Sequence, residues 1–156
     1  MSFQIWVDAD ACPRAIKEVL YRAADKRRIP MTLIANQFLR TPASKFISTM
    51  QVATGFDVAD NAIIERMSPG DLVVTQDIPL ADEVITRGGQ ALNPRGTLYT
   101  RENIKDHLNR RDMLDELRSS GNVTGGPPAL DKKDVQIFAN ALDRTLTRAL
   151  QDQQRG

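Results

Sequence analysis

Cysteine, histidine and aromatic side chains are scarce in this 156-residue chain, and each scarcity closes a class of function. The lone Cys12 can form neither an intramolecular disulfide nor a cysteine cluster for zinc. His107 is the only histidine, so Ser-His-Asp or Cys-His machinery would have to converge on that one ring, and a histidine-ligated transition metal is disfavoured. Aromatics make up 5% of residues and no aromatic RNA-binding motif is present, which argues against extensive base stacking. Charge of one sign is missing too: 21 Lys+Arg face 20 Asp+Glu, so any nucleic-acid contact has to be local. No apolar stretch approaches the roughly 18 to 20 residues that span a bilayer. The opening MSFQIWVDAD lacks a basic region followed by a long apolar one, so a cytoplasmic protein without a membrane anchor is expected.

What remains is an ordinary globular composition, 41% hydrophobic and 26% charged. At this length about 70% of the unfolded chain's surface can be buried, enough for one domain with a real core. Phe3 to Val7 reads as a buried strand stopped by Asp8, and Pro13 opens a helix to about Arg27 with Ile16, Val19, Leu20 and Ala24 at helical spacing. The basic end of that helix, Lys26 to Arg28, suits either its dipole or a phosphate. Met31 to Ala35 is a second strand, residues 36 to 46 a loop, and Ile47 to Ala53 a third strand. Helices over Val58–Met67 and Pro79–Arg87 alternate with strands at Leu72–Thr75 and Gln90–Leu92. This alternation predicts a three-layer α/β sandwich on a mainly parallel sheet. Two helices follow, about Arg101 to Arg118 and about Asp131 to Leu150, with a Gly/Pro-rich connection over Gly121 to Pro128. The expected organisation is therefore a single domain, with an α/β core at 1–98 and a helical extension at 99–156 whose Phe138, Leu142 and Leu146 pack on the sheet.

Ligands of open parallel sheets gather at the carboxyl ends of the strands, and aspartates occupy those positions here. Asp8 and Asp10 follow the first strand, Asp77 follows VVT, Asp60 lies early in its helix, and Asp82 one turn into the next. No acidic residue occurs from Lys26 to Phe56, so this is not a uniform acidic background. Several carboxylates in one cleft repel each other, a cost that a hard divalent cation such as Mg²⁺ or Mn²⁺ offsets, and such ions serve phosphoryl chemistry. The competing reading is local: Asp8, Asp10 and Asp77 stand where helix N-caps are wanted, and an early helical Asp60 or Asp57 is favoured by the dipole alone.

The strings IWVDADACP, GFDVADNAII, GDLVVTQDIPLADEVI, ALNPRG and TGGPP closely resemble the bacterial YaiI/YqxD family over nearly the whole chain. More distantly, VDAD, VADNAII and DLVVTQD are similar to the acidic motifs of PIN-like nucleases. That resemblance implies a PIN-like fold and a metal-dependent nuclease acting on RNA or DNA. Asp8, Asp60 and Asp77 would match the catalytic, metal-binding aspartates, with Asp10 or Asp82 completing the metal site. Such nucleases usually carry a further acid, often Glu, in the stretch that here runs from Met31 to Phe56 and holds none.

Further candidates surround these carboxylates. Asn36 and Gln37 after the second strand could orient a base or water, and Asn93 with Arg95 after the last could bind substrate, Arg95 by clamping a phosphate. Thr75 could contact the metal's water or simply suit a strand. Cys12, beside a helix start, is either an acidified thiol or a packed one. His107, with Arg101, Lys105, Arg110 and Arg111, offers a basic wall or a solvated face. Two other functions compete with a nuclease: a HAD-like phosphohydrolase, since Asp-x-Asp after a strand also suits aspartyl-phosphate chemistry, and a non-catalytic nucleic-acid-binding adaptor.

Overall fold

Five short segments, most of them apolar, form parallel strands, and the direction in which the chain leaves each one determines where a cleft opens. The computed structural model describes residues 3–55, 57–119 and 129–155. Strands β1 (Ile5–Asp8), β2 (Met31–Ala35), β3 (Ile47–Gln51), β4 (Leu72–Val74), β5 (Gln90–Leu92) and β6 (Leu98–Tyr99) form one sheet. Its order is β3-β2-β1-β4-β5-β6. All neighbours are parallel except β6, which runs antiparallel to β5. Helices α1 (Arg14–Arg27), α2 (Val58–Arg66), α3 (Ile78–Thr86), α4 (Ile104–Ser119) and α5 (Lys132–Arg155) complete the chain.

Alternation along β1 sends Ile5 and Val7 to one face and Trp6 to the other. Ile5, Val7, Leu33, Val74 and Leu92 share a core with Ile16 and Leu20 of α1 and with Phe138, Leu142 and Leu146 of α5. On the opposite face Trp6, Ile34, Val73 and Ala91 pack with Ile63 of α2, Leu80 and Val84 of α3 and Ile104 of α4. The result is the expected three-layer sandwich. The C-terminal helices join it on different faces, and α5 supplies fully buried side chains to the main core. No helix among the described residues is long and apolar enough to cross a membrane.

Where boundaries differ from the sequence expectation, a local interaction accounts for most of them. Pro13 is the N-cap of α1 and not its first turn. Helix α3 starts at Ile78 because the Asp77 side chain accepts from the Leu80 amide, leaving Pro79 in the first turn, where its missing N–H has no cost. Asn103 and Thr100 hydrogen-bond reciprocally and hold residues 101–103 in a turn, delaying α4 to Ile104. Asp131 caps α5, accepting from the Asp134 amide while the Asp134 carboxylate accepts from the Asp131 amide. Arg27, at the basic end of α1, pairs with Asp143 and ties α1 to α5. The expected connection Gly121 to Pro128 lies outside the described residues.

Strand β6 is the element that pattern reading does not anticipate. Residues 93–97 turn back on β5, with Asn93 N donating to Thr97 O and Gly96 N to Asn93 O. Gly96 has φ +95°, and a Cβ there would stand 2.7 Å from Ile137 Cγ2, so both the turn and the approach of α5 require glycine.

At the amino rim, buried Asp71 accepts from Gln4 N (3.1 Å), Trp6 Nε1 (3.0 Å) and Ser68 N (2.9 Å). It fastens the entries of β1 and β4 together. Asp71→Ala strands these donors and should cost at least about 2 kcal/mol, since each unsatisfied buried group costs about 1–3 kcal/mol. Phe138→Ala should cost about 3–5 kcal/mol. Urea denaturation checks both, and losses below about 0.5 kcal/mol would contradict the packing described.

Candidate active site

Strands β1 and β4 are neighbours, yet the chain leaves β1 through α1 on one face and β4 through α3 on the other. Such a reversal opens a crevice at the carboxyl ends of the two strands. Asp8 is the last residue of β1, and Thr75-Gln76-Asp77 follows β4. The Thr75 hydroxyl donates to Asp8 Oδ2 at 2.9 Å and accepts from Asp77 N at 3.0 Å, so one buried side chain sets both aspartates. Asp77 Oδ1 accepts from Leu80 N at 3.1 Å. Asp8 makes no side-chain cap bond to the 3-10 turn Ala9–Ala11, which leaves it acting as something other than a cap.

Asp60, in the first turn of α2, faces this pair. Its pKa is pushed up to about 7, first by burial, then by a carboxyl–carboxyl hydrogen bond with Asp77, then by the charges of Asp77, Asp8 and Asp57. Asp8 is also raised, first by burial and then by Asp77 and Asp10, against the opposing Thr75 hydrogen bond. Asp8 and Asp77, from two strand ends, thus both act on Asp60 at the start of α2. Asp57 is the N-cap of α2 with φ 62°, a left-handed conformation that Asp tolerates better than most residues.

The other expected site residues divide between this rim and roles inside the fold. Asp10 does not cap α1; its Oδ2 accepts from Asn36 N at 2.8 Å, binding the end of β2 to the end of β1. Asp82 is not among the charges that raise Asp8 or Asp60, and its backbone carbonyl accepts from Thr86 Oγ1. Asn93 reaches the same rim, since Thr75 N donates to Leu92 O, but its amide serves the β5–β6 turn through Tyr99 Oη (2.9 Å) and Arg95 N (2.7 Å). Arg95 pairs with Asp134 of α5 at 3.6 Å. His107 makes an edge-on contact with Tyr99, ring centroids 4.9 Å apart. Cys12 is buried and its thiol is pushed up to about 12, chiefly by that burial, so it is a packed thiol. Gln76 was not anticipated: its Nε2 donates to Ala11 O at 2.7 Å and ties the loop after β4 to the loop after β1. Only its position between Thr75 and Asp77 could have flagged it.

All donors at the crevice are hard oxygens, the chemistry that suits Mg²⁺ or Mn²⁺. Among the described residues no three His, Cys, Asp or Glu side chains stand together so as to hold a metal ion. The described carboxylates therefore form no ready-made cage for a cation.

The Asp60 shift has a consequence for stability. Between the ordinary 3.8 and about 7 the folded state holds a proton that the unfolded state has released. The contribution of Asp60 is then most favourable below about pH 4 and is lost as pH rises to about pH 7. In chelator, the urea midpoint should fall across that window, and Asp60→Asn should flatten most of the fall, with a residue left by Asp8. A pH-independent midpoint in the wild-type protein would remove the basis for the coupled carboxylates.

Residues 6–148 match the family model described as "Uncharacterized BCR, YaiI/YqxD family". A UPF0178 protein of Shewanella amazonensis is 61% identical over 145 residues, 93% of this chain and 97% of its own. UPF0178 proteins of Aromatoleum aromaticum and Yersinia enterocolitica are 61% and 59% identical over 149 and 150 residues, each alignment covering 96% of this chain and 99% of the relative. No solved structure matches. With identity this high over nearly the full length of both partners, the chain belongs to the YaiI/YqxD family.

Proposed function

We propose that the protein is a divalent-metal-dependent nuclease that hydrolyses phosphodiesters of RNA or DNA at Asp8, Asp60 and Asp77. The observation that carries this reading is the approach of three aspartates, from β1, α2 and the β4–α3 junction, at the crossover reversal, where Asp77 raises the proton affinity of Asp8, and Asp77 and Asp8 raise that of Asp60. Asp8 and Asp77 would hold the ion. Bound there, Mg²⁺ or Mn²⁺ would supply Lewis-acid polarisation of a phosphate and activation of water. Thr75 fixes Asp8, and the Leu80 amide fixes Asp77, so neither carboxylate needs to reorganise when a phosphate arrives. Asp60, set beside Asp77, would be the group placed to take the proton that leaves the attacking water or to deliver one to the departing oxygen.

The test uses charge without shape. Asn caps a helix about as well as Asp and still accepts from Thr75, so Asp77→Asn and Asp8→Asn remove a hard anionic ligand while keeping the fold. Purified protein with millimolar Mn²⁺ or Mg²⁺ should cut RNA or DNA, and either substitution should lower turnover by about 100-fold or more. If no substrate is cut under any metal condition while nucleic acid still binds in a salt-sensitive way, the adaptor reading replaces the nuclease. Trapping of a phospho-aspartate on Asp8 would instead establish the phosphohydrolase.

A further inference from the structure

The loop after β2 combines an anchored backbone with outward side chains of a kind that the acidic crevice lacks. The loop is held at three points, one through its backbone and two through side chains. Asn36 N donates to Asp10, Leu39 packs against the main core, and Ser44 Oγ donates to Asp25 Oδ1 at 2.8 Å. Between those anchors Phe38 is 80% exposed, the most exposed large apolar side chain among the described residues, and Arg40 is exposed beside it. The neighbouring cation, Lys45, is committed to the Phe46 ring, 5.3 Å from its centroid. No acidic residue lies between Lys26 and Phe56, so the arm is positive where the crevice is negative.

We propose that residues 36–40 form the substrate arm of the site, with Phe38 stacking on an unpaired base and Arg40 meeting a backbone phosphate of a single-stranded nucleic acid. The proposal rests on the nuclease reading and deepens it by naming the substrate form. Reach is consistent with one ligand. Ile34 is the register partner of Asp8 on the adjacent strand and Phe38 lies four residues further on, so the two sites are within about 15 Å, a few nucleotides. Asp8 follows Val7 and so points with Trp6 to the α2/α3 side, whereas Phe38 borders a shallow recess with Leu33, Thr49 and Gln51 on the α1/α5 side. A strand that touches both crosses the carboxyl rim over β1 and β2. Duplex bases are already stacked and offer Phe38 no free face, whereas every unpaired base does.

Binding is measured by fluorescence anisotropy in Mg²⁺ buffer, on an Asp8→Asn background that suppresses cleavage, with labelled single-stranded RNA, single-stranded DNA and a blunt duplex. Phe38→Ala should weaken single-strand binding by about 5- to 150-fold, the range seen when one stacking partner is removed, and Phe38→Trp should restore it. Arg40→Ala should reduce the salt slope by about 0.7, the loss of one phosphate contact on a single strand. Comparing the two single strands identifies the sugar preferred. Single-strand binding that is unchanged in Phe38→Ala, a preference for duplex, or no binding by the parent overturns the arm. If wild-type protein nevertheless cleaves in an Asp8-dependent way, the nuclease reading survives that failure. If Phe38-dependent binding is found and nothing is cut, the arm stands and the nuclease reading falls.

Discussion

Two parallel neighbours, β1 and β4, whose outgoing connections leave on opposite faces, constrain everything else in this molecule. With the loops drawn apart, the carboxyl ends of the two strands are left open, and the residues that end them must satisfy themselves locally. Thr75 does most of this. Its hydroxyl can donate once and accept as well, and it spends both capacities on the pair, donating to Asp8 and accepting from the Asp77 amide. A valine would fit the strand equally well but could do neither. The geometry of the crevice therefore follows from one hydroxyl placed at a strand end by the fold.

Holding Asp8, Asp60 and Asp77 together opposes folding, because burial and like charge act in the same direction on Asp8 and Asp60. The two cores on either side of the sheet must supply the stability that absorbs this opposition. The amino-rim fastening by Asp71 lies at the opposite end of β1 and β4 from the crevice. That separation lets the site remain electrostatically unsatisfied without loosening the strands that carry it.

Most of the fold was legible because its signals are local. β2 and β5 were read to their observed ends from apolar runs, and α1 and α5 were placed from helical spacing, although α5 continues past the expected Leu150 to Arg155. The strand-end aspartates were legible for the same reason. What escaped depended on contacts distant in sequence. β6 is two residues long and exists only as a partner for β5, so no periodicity announces it. Asn93 and Arg95 carried a polar strand-end signature, yet the turn and α5 engage them, and nothing in NPRG reveals Asp134. The exposed Phe38 was likewise invisible, since an apolar residue in a loop reads from sequence as one more packing residue.

Asp71 and Asp8 show why residue type alone could not sort structure from chemistry. Both adjoin buried strands, β4 and β1, at opposite rims of one sheet. Asp71 receives two backbone amides and an indole N–H, so its charge is spread over donors and its role is complete within the fold. Asp8 receives one hydroxyl and faces the charges of Asp77 and Asp10, so most of its acceptor capacity is directed at the crevice. The number of donors a carboxylate meets, and the sign of its neighbours, separate a fastening from a site. Both quantities are set by which rim of a doubly wound sheet the residue occupies: the amino rim brings backbone amides entering strands, and the carboxyl rim at the reversal brings the other acids.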